Sequence, residues 1–408
     1  MTTLESAPIK TPDPTRRAFM VLFACMIALG MGQTVVFAVL PPLGREIGLA
    51  EIQVGAIVSA SSIAFFLTSP LWGRFSDRRG RKVVILIGLL GYTLGTVLVA
   101  SGFYAAMVGL LAPTAAFIIL TLTRMAQAMI MSATPPAASA YVADITTARN
   151  RTRGMGGMGA ANNLGAIIGP GVGGLLAVVS LLLPIYFAAL MTLIAAFLVW
   201  RWLPDAPRQT QTLRRERLKF LDRRILPFVV VGVLMFAGFA IAQQTLAFRF
   251  QDLLGLTGRE TARFFGFAMM TAATMSLLAQ GLIVQRMDLA PLTLLRTAVP
   301  VLITAFILLT LAESRLPLFI GMGLMGLGMG MAAPGFMAGA SLAVSQEEQG
   351  AVAGVTGACP PLGFTIGPLL GTALYQVDPH LPYLVTTLLY IPLAIFTWRV
   401  RLPPRDIP

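Results

Sequence analysis

Twelve apolar runs dominate this chain and limit what it can fold into. The first two, Phe19–Leu40 and Ile52–Trp72, are typical, because an α-helix needs ~20 residues to cross the hydrocarbon of a bilayer. The chain is 56% hydrophobic and only 12% charged, whereas a soluble domain carries roughly 25% charged residues. A soluble protein of 408 residues would still need a large wet surface. The runs therefore predict an all-α integral membrane protein with twelve transmembrane helices.

The basic residues predict the orientation of the chain. Lys and Arg crowd into alternate gaps between runs, at 74–82, 149–153 and 208–224, while the intervening gaps hold few. Cytoplasmic loops carry this excess, so both termini are expected in the cytoplasm, with the chain crossing a cell membrane (a bacterial inner membrane) many times. The net charge of +13 could also suit a nucleic-acid binder. No basic face with interleaved aromatics exists, however, so lipid and not nucleic acid is the expected partner.

The two halves of the chain repeat each other. The fifth run contains Gly165-x-x-x-Gly169-Pro170, and the eleventh contains Gly363-x-x-x-Gly367-Pro368. Gln33-Thr34 in the first run likewise matches Gln244-Thr245 in the seventh. We therefore expect two pseudo-symmetric six-helix bundles, 19–203 and 225–402, joined by a basic linker at 204–224 and flanked by tails at 1–18 and 403–408.

Three motifs resemble those of the major facilitator superfamily. The loop after the second run reads Gly73-x-x-x-Asp77-Arg78-x-Gly80-Arg81, the fourth run carries Arg124-x-x-Gln127, and the fifth carries the Gly-Pro motif. The Gly-Pro motif is similar to that of the antiporter, drug-efflux branch, and the stretch 141–146 is similar to tetracycline exporters. The resemblance implies a major facilitator fold with a central cavity between the halves.

Some motif residues are expected to control conformational change. Asp77 can pair with an Arg and lock the cytoplasmic side. Glycines spaced by four make a smooth helix face for close packing, and a proline bends the helix beside it. The gating set is Gly73, Asp77, Arg78, Arg81, Gly165, Gly169, Pro170, Gly363, Gly367 and Pro368.

Charge within the runs is almost absent. All seventeen acidic residues fall in gaps or at the ends of runs, and of the basic residues only Arg124 lies well inside one. Such a charge costs at least ~2.5 kcal/mol on insertion, so it is a functional candidate, although a structural role bonding helix carbonyls remains open. The candidate substrate-binding set is Arg124, Gln33, Asn162, Asn163, Gln243 and Gln244. Because Gln33 cannot titrate, the candidate proton sites move to two carboxylates at helix ends, Asp144 and Asp252.

These residues predict a monomeric secondary transporter working by alternating access, exporting a small organic drug or metabolite in exchange for protons. One alternative is transport of an anionic metabolite or a carboxylate siderophore recognised by Arg124. A non-transporting receptor or scaffold is a second alternative. No catalytic pair stands in the runs, and with one histidine (His380) and no CxxC pair no enzyme activity, metal or cofactor is expected.

Overall fold

The computed structural model describes residues 14–146, 148–205, 222–287, 289–345 and 348–400. These residues form helices joined by short turns, and no strand occurs among them. The first half contains α1 (Pro14–Glu46), α2 (Glu51–Arg79), α3 (Arg81–Met107), α4 (Pro113–Met131), α5 (Thr134–Ile145), α6 (Ala148–Ala177) and α7 (Leu183–Trp202). The second contains α8 (Leu226–Leu254), α9 (Gly258–Leu278) with a π-helical turn (Ala279–Val284), α10 (Pro291–Thr310), α11 (Arg315–Leu342), α12 (Gln349–Val377) and α13 (Leu381–Arg399). The predicted tails and linker lie largely outside the described residues.

The helices have the dimensions and composition of membrane spans. When α4 is joined to α5 and α9 to its π-helical turn, eleven spans in the described residues are long and apolar enough to cross a bilayer. The remaining helix, α6, has 30 residues and is long enough, but its many glycines and paired asparagines make it less apolar. Leucines such as Leu94 and Leu388 are more than half exposed on the outer surface, where lipid would solvate them. The predicted all-α membrane fold is confirmed.

Each half packs around its own apolar core. In the first half, α1 lies against α6 and α7, while α3 lies against α4 and α7; in the second, α8 lies against α12, and α11 lies against α9 and α10. Large side chains such as Tyr92 and Phe306 are fully buried in these cores. The halves meet mainly through two crossed pairs, α2 with α12 and α6 with α9. The four helices of these pairs therefore make most of the contact between the halves.

Helix α2 is followed by a glycine with a positive φ, and helix α8 ends later than the sequence predicts. A single residue, Gly80, separates α2 from α3 with a φ of 98°, a value that strains any residue with a side chain. Helix α8 extends well beyond the predicted run, which ends at Phe248. The end of the seventh apolar run at Phe248 predicts that Arg249 lies in the outer loop that follows. That prediction is wrong, because Arg249 lies inside α8 and is only 6% exposed.

Candidate functional site

A cavity of about 500 Å³ lies between the two halves. Side chains from α1, α2, α4 and α6 form one wall, and side chains from α8, α9, α11 and α12 form the other. Most are apolar, with a few polar groups among them, which is the usual composition of a small-molecule pocket. Methionines Met131, Met269, Met322 and Met329 add flexible, polarisable surface.

The cavity takes in four of the six predicted binding residues. Arg124, Gln33, Asn163 and Gln243 line it, whereas Asn162 and Gln244 do not. Successive residues on a helix point about 100° apart, so a residue next to a lining residue need not face the cavity itself. Gln244 is instead buried beside the cavity wall, 3% exposed.

The backbone of Asn162 has a packing role on α6. Its carbonyl oxygen lies so close to Gly30 of α1 that a side chain at position 30 would overlap it. The predicted match of Gln33 with Gln244 is displaced by one residue at the cavity, because Gln243 and not Gln244 lines it together with Gln33.

Arg124 is held by a chain of hydrogen bonds on α3 and α4. Its Nη1 donates to Oε1 of Gln127, and Nε2 of Gln127 donates to Oγ1 of Thr96 and to the carbonyl oxygen of Tyr92, at 2.5 and 3.3 Å. Arg124 is 6% exposed, and none of the ion pairs among the described residues includes it. The second motif thus fixes a cation on the cavity wall without neutralising it.

Five phenylalanines form the aromatic part of the cavity wall. The centroids of the Phe37 and Phe364 rings are 5.7 Å apart, and those of Phe239 and Phe364 are 6.2 Å apart. Phe65 and Phe236 also line the cavity. Because Phe37 belongs to the first half and Phe364 to the second, this aromatic contact crosses between the halves. Sequence reasoning did not identify these residues, since phenylalanine is common in every apolar run.

The predicted glycine faces pack within each half. A side chain at Gly165 or Gly169 would overlap the backbone of α1 around Met31, and one at Gly363 or Gly367 would overlap α8 around Ala237. Equivalent helix pairs therefore make equivalent contacts in the two halves. Whether these faces take part in gating remains a prediction.

The two motif prolines place their carbonyl oxygens at the contact between halves. The oxygen of Pro170 faces Gly266 of α9, and the oxygen of Pro368 faces Gly55 of α2. A Cβ built on Gly55 would lie 2.6 Å from the Pro368 oxygen, well inside normal contact distance. Gly55 and Gly266 were not predicted; in sequence, each is one glycine among forty.

An ionic cluster closes the same end of the molecule, which we call the closed end. Arg45 at the end of α1 donates to both carboxylate oxygens of Asp252 on α8, at 2.5 and 2.9 Å, and to Glu51 on α2, at 2.7 Å. The hydroxyl of Tyr375 donates to Asp252 at 2.7 Å, and the guanidinium of Arg45 lies over the ring of Phe248. Every hydrogen bond that joins described residues of the two halves involves Arg45 or Glu51.

The predicted loop motif lies at the opposite end. Arg81 forms ion pairs with Asp77, four residues earlier, and with Asp144 at the end of α5, at 3.1 Å. Its Nη1 also donates to Ser76 at 2.7 Å. Arg78 is exposed, and Gly73 has only Pro136 near its backbone. All of these contacts stay within the first half, so among the described residues the motif does not join the halves in this conformation.

Helices α6 and α12 are less tightly packed towards that opposite end. Gly156 and Gly159 on α6, and Gly354 and Gly357 on α12, have no neighbouring atom where a side chain would stand. Farther along the same two helices, Gly174 and Pro368 are pressed against the other half. The described contacts between the halves therefore gather at the closed end, and we call the opposite end, where these glycines have free space beside them, the open end.

A second buried arginine lies near the closed end. Nη2 of Arg249 donates to the carbonyl oxygen of Ala312 at 3.0 Å and lies 3.2 Å from Nδ1 of His380, whose ring also contacts the carbonyl oxygen of Thr310. This cluster holds α8 to the α10–α11 loop and to the start of α13. Its role is packing within the second half, which explains a buried cation that the sequence placed in a loop.

Two pseudo-symmetric helical halves around a central cavity, sealed at one end, define a membrane transporter fold. The family model described as Major Facilitator Superfamily matches residues 22–359 and 292–408. The chain belongs to the major facilitator superfamily, as its motifs predicted.

Individual proteins agree with this assignment. The chain is 29% identical over 391 residues to Multidrug resistance protein 2 of Bacillus subtilis, covering 92% of this chain and 93% of that protein. It is 30% identical over 194 residues to the quinolone resistance protein NorA of Staphylococcus aureus, covering 48% and 46%. A bacterial homolog of the human lysosomal transporter Spinster, solved in an inward-facing and occupied conformation, has the same fold, with a TM-score of 0.75 at 16% identity over 95% of this chain and 97% of that one.

Proposed function

We propose that this protein is a secondary active exporter of small organic compounds that works by alternating access and is coupled to protons. One observation supports this most. A cavity lies between two similar halves, and the hydrogen bonds and close backbone contacts that join the described residues of the two halves lie at one end of it. Rocking the halves about the cavity would break those contacts and expose the cavity on the other side. Relatives that match over nearly the whole chain are named for multidrug resistance.

We further propose that the closed end is extracellular and that both termini are cytoplasmic. Arg74, Arg78, Arg79 and Lys82 gather at the open end, as expected for the inner face of a membrane. The protein would then be an inward-facing transporter in a cell membrane, as its bacterial relatives suggest, and the expected bacterial inner membrane stays a prediction. Each chain encloses a complete cavity, which supports a monomer as the functional unit.

Proton coupling has no carboxylate in the cavity to rely on, because the described lining contains none. Asp144 and Asp252 remain the candidates. In this conformation Asp252 accepts hydrogen bonds from Arg45 and Tyr375, and Asp144 forms an ion pair with Arg81. Either carboxylate would take up a proton more readily in a conformation that separates it from its arginine.

Everted membrane vesicles test the proposal. A proton gradient should drive fluorescent aromatic dyes into vesicles that contain the protein, and a protonophore should abolish the uptake. The control is Gly169→Leu, in which a large side chain would force α6 away from α1. Dye binding without any gradient-driven movement would favour the receptor alternative, and absence of both would refute the proposal.

A further inference from the structure

The guanidinium of Arg124, a residue of the cavity lining, has unused bonding capacity. Nη1 is taken by Gln127, but Nε is buried without a hydrogen-bond partner, and Nη2 has none among the described residues. Gln127 cannot turn away to serve another group, because Thr96 and the Tyr92 carbonyl hold its amide. The free donors of Arg124 thus keep one direction and stay fork-shaped, a geometry that matches a carboxylate or a similar planar anion.

The charge of Arg124 also has no counter-ion nearby. Neither Asp nor Glu occurs in the described cavity lining, and Asp77, Asp144 and Asp252 are committed to other arginines. While the cavity is open, water can solvate the cation. When the halves close over it, water is lost, and a buried cation without a partner is strongly unfavourable. An anion bound beside Arg124 would remove that penalty, so occlusion would favour an anion-loaded cavity over an empty one.

The aromatic side chains of the cavity wall indicate which kind of group carries the anion. Phe37, Phe239 and Phe364 present ring faces and edges within the same cavity. Aromatic surfaces favour aromatic partners in offset or edge-on contact, beyond what area alone contributes. Across the cavity, Gln243 has a buried amide oxygen with no hydrogen-bond partner, so it can accept a bond from an N–H or O–H of the ligand.

Resting on the proposed function, we infer that the cavity selects aromatic organic anions: a flat ring system with a carboxylate or equivalent acid group, paired with Arg124. Cations of the same shape are disfavoured, because the cavity would hold two uncompensated positive charges. A donor on the ring system strengthens binding through Gln243.

Matched compounds on one ring system test the charge. The purified full-length protein is titrated by calorimetry with 2-naphthoate, 2-naphthamide and 2-naphthylmethylammonium. The carboxylate should bind about ten- to a hundredfold more tightly than the amide, since a hydrogen-bonded charge pair replaces a neutral contact. The ammonium compound should bind most weakly.

Three cavity variants and one control locate the effect. Arg124→Gln should remove the preference for carboxylate over amide, and Arg124→Lys should retain only part of it, because an ammonium cannot make the forked contact. Phe364→Leu should weaken all three compounds alike. Arg296→Gln, which removes an arginine bonded to the α13 carbonyl of Thr397 outside the cavity, should change none of them.

Equal affinity for carboxylate and amide in the wild type would overturn the inference, as would tighter binding of the ammonium compound. A preference that survives in Arg124→Gln would also overturn it. Calorimetry measures binding without transport, so the inferred anion selection and the proposed export activity can each be refuted while the other stands. Vesicles that export cationic dyes while 2-naphthoate does not bind would leave the exporter standing and refute the anion selection.

Discussion

Replacing Gly55 with alanine should push the protein out of the conformation described here. The new Cβ would overlap Oγ1 of Thr372 and would stand 2.6 Å from the Pro368 carbonyl oxygen. Carbon and oxygen normally approach no closer than about 3.3 Å, so relieving the overlap with the Pro368 oxygen alone requires α2 and α12 to separate by about 0.7 Å at this point. Pro368 fixes the local backbone of α12, which limits how far the oxygen can turn aside.

The size of the effect follows from the cost of overpacking. Forcing one extra methyl group into a close-packed contact costs about 1–3 kcal/mol. The contact between Gly55 and Pro368 exists only while the halves are together at the closed end. The overpacking therefore destabilises this conformation and not a conformation in which that end is open. The equilibrium should therefore shift by about 5- to 150-fold towards the conformation open at this end.

Cysteine labelling measures that shift. The reporter is Ala262→Cys, at a fully buried position of α9 beside the Gly174 contact, on the crossed pair that does not include Gly55. Both native cysteines are buried, so background labelling by a membrane-impermeant maleimide should be low. In the Gly55→Ala background, the reporter should be modified several-fold faster from the side of the closed end.

Gly354→Ala is the matched control. It lies on α12, and an added Cβ there would meet no other atom, so it brings the same gain in helix propensity without the overlap. The labelling rate of Ala262→Cys combined with Gly354→Ala should equal that of Ala262→Cys alone. Equal rates for Gly55→Ala and Gly354→Ala would show that the Pro368 contact does not seal this end, and the alternating-access reasoning would lose its main structural support.

Three further predictions concern the rest of the structure. Asp77→Asn removes one partner of Arg81 and should slow transport in vesicles while leaving equilibrium ligand binding intact; full-rate transport would contradict a gating role. Gly169→Leu should abolish transport without preventing membrane insertion, as judged by vesicle uptake and by immunoblot, and normal uptake would mean that the face does not pack on α1. Arg224 donates to Asp222 and Glu348 and lowers the pKa of both carboxyls; this stabilisation exists above their unfolded pKa and is lost as pH falls through the folded value. The Tm difference between wild type and Arg224→Gln should therefore shrink on acidification, and a difference constant with pH would argue against the pairs.

Much of the site was accessible from sequence because membrane proteins obey simple rules of charge. Arg124 stood out as a cation within an apolar run, and the structure places it on the cavity wall. Gln33, Asn163 and Gln243 were selected as polar residues in apolar surroundings and also line the cavity. Asn162 and Gln244 met the same criterion but lie elsewhere, since the direction of a side chain depends on how its helix is rotated against its neighbours.

The sequence alone determined the membrane class, the duplicated architecture and the family, because span length, charge placement and spaced glycines are local properties of the chain. Tertiary structure alone decided which end is sealed. Arg45 and Asp252 are 207 positions apart and pair only because the halves close together there. The importance of Gly55 and Gly266 is likewise visible only in the tertiary structure, where each packs against a proline carbonyl oxygen of the opposite half. Contacts between halves depend on one of at least two arrangements of the same bundles, and no local pattern in a chain can specify which arrangement is adopted.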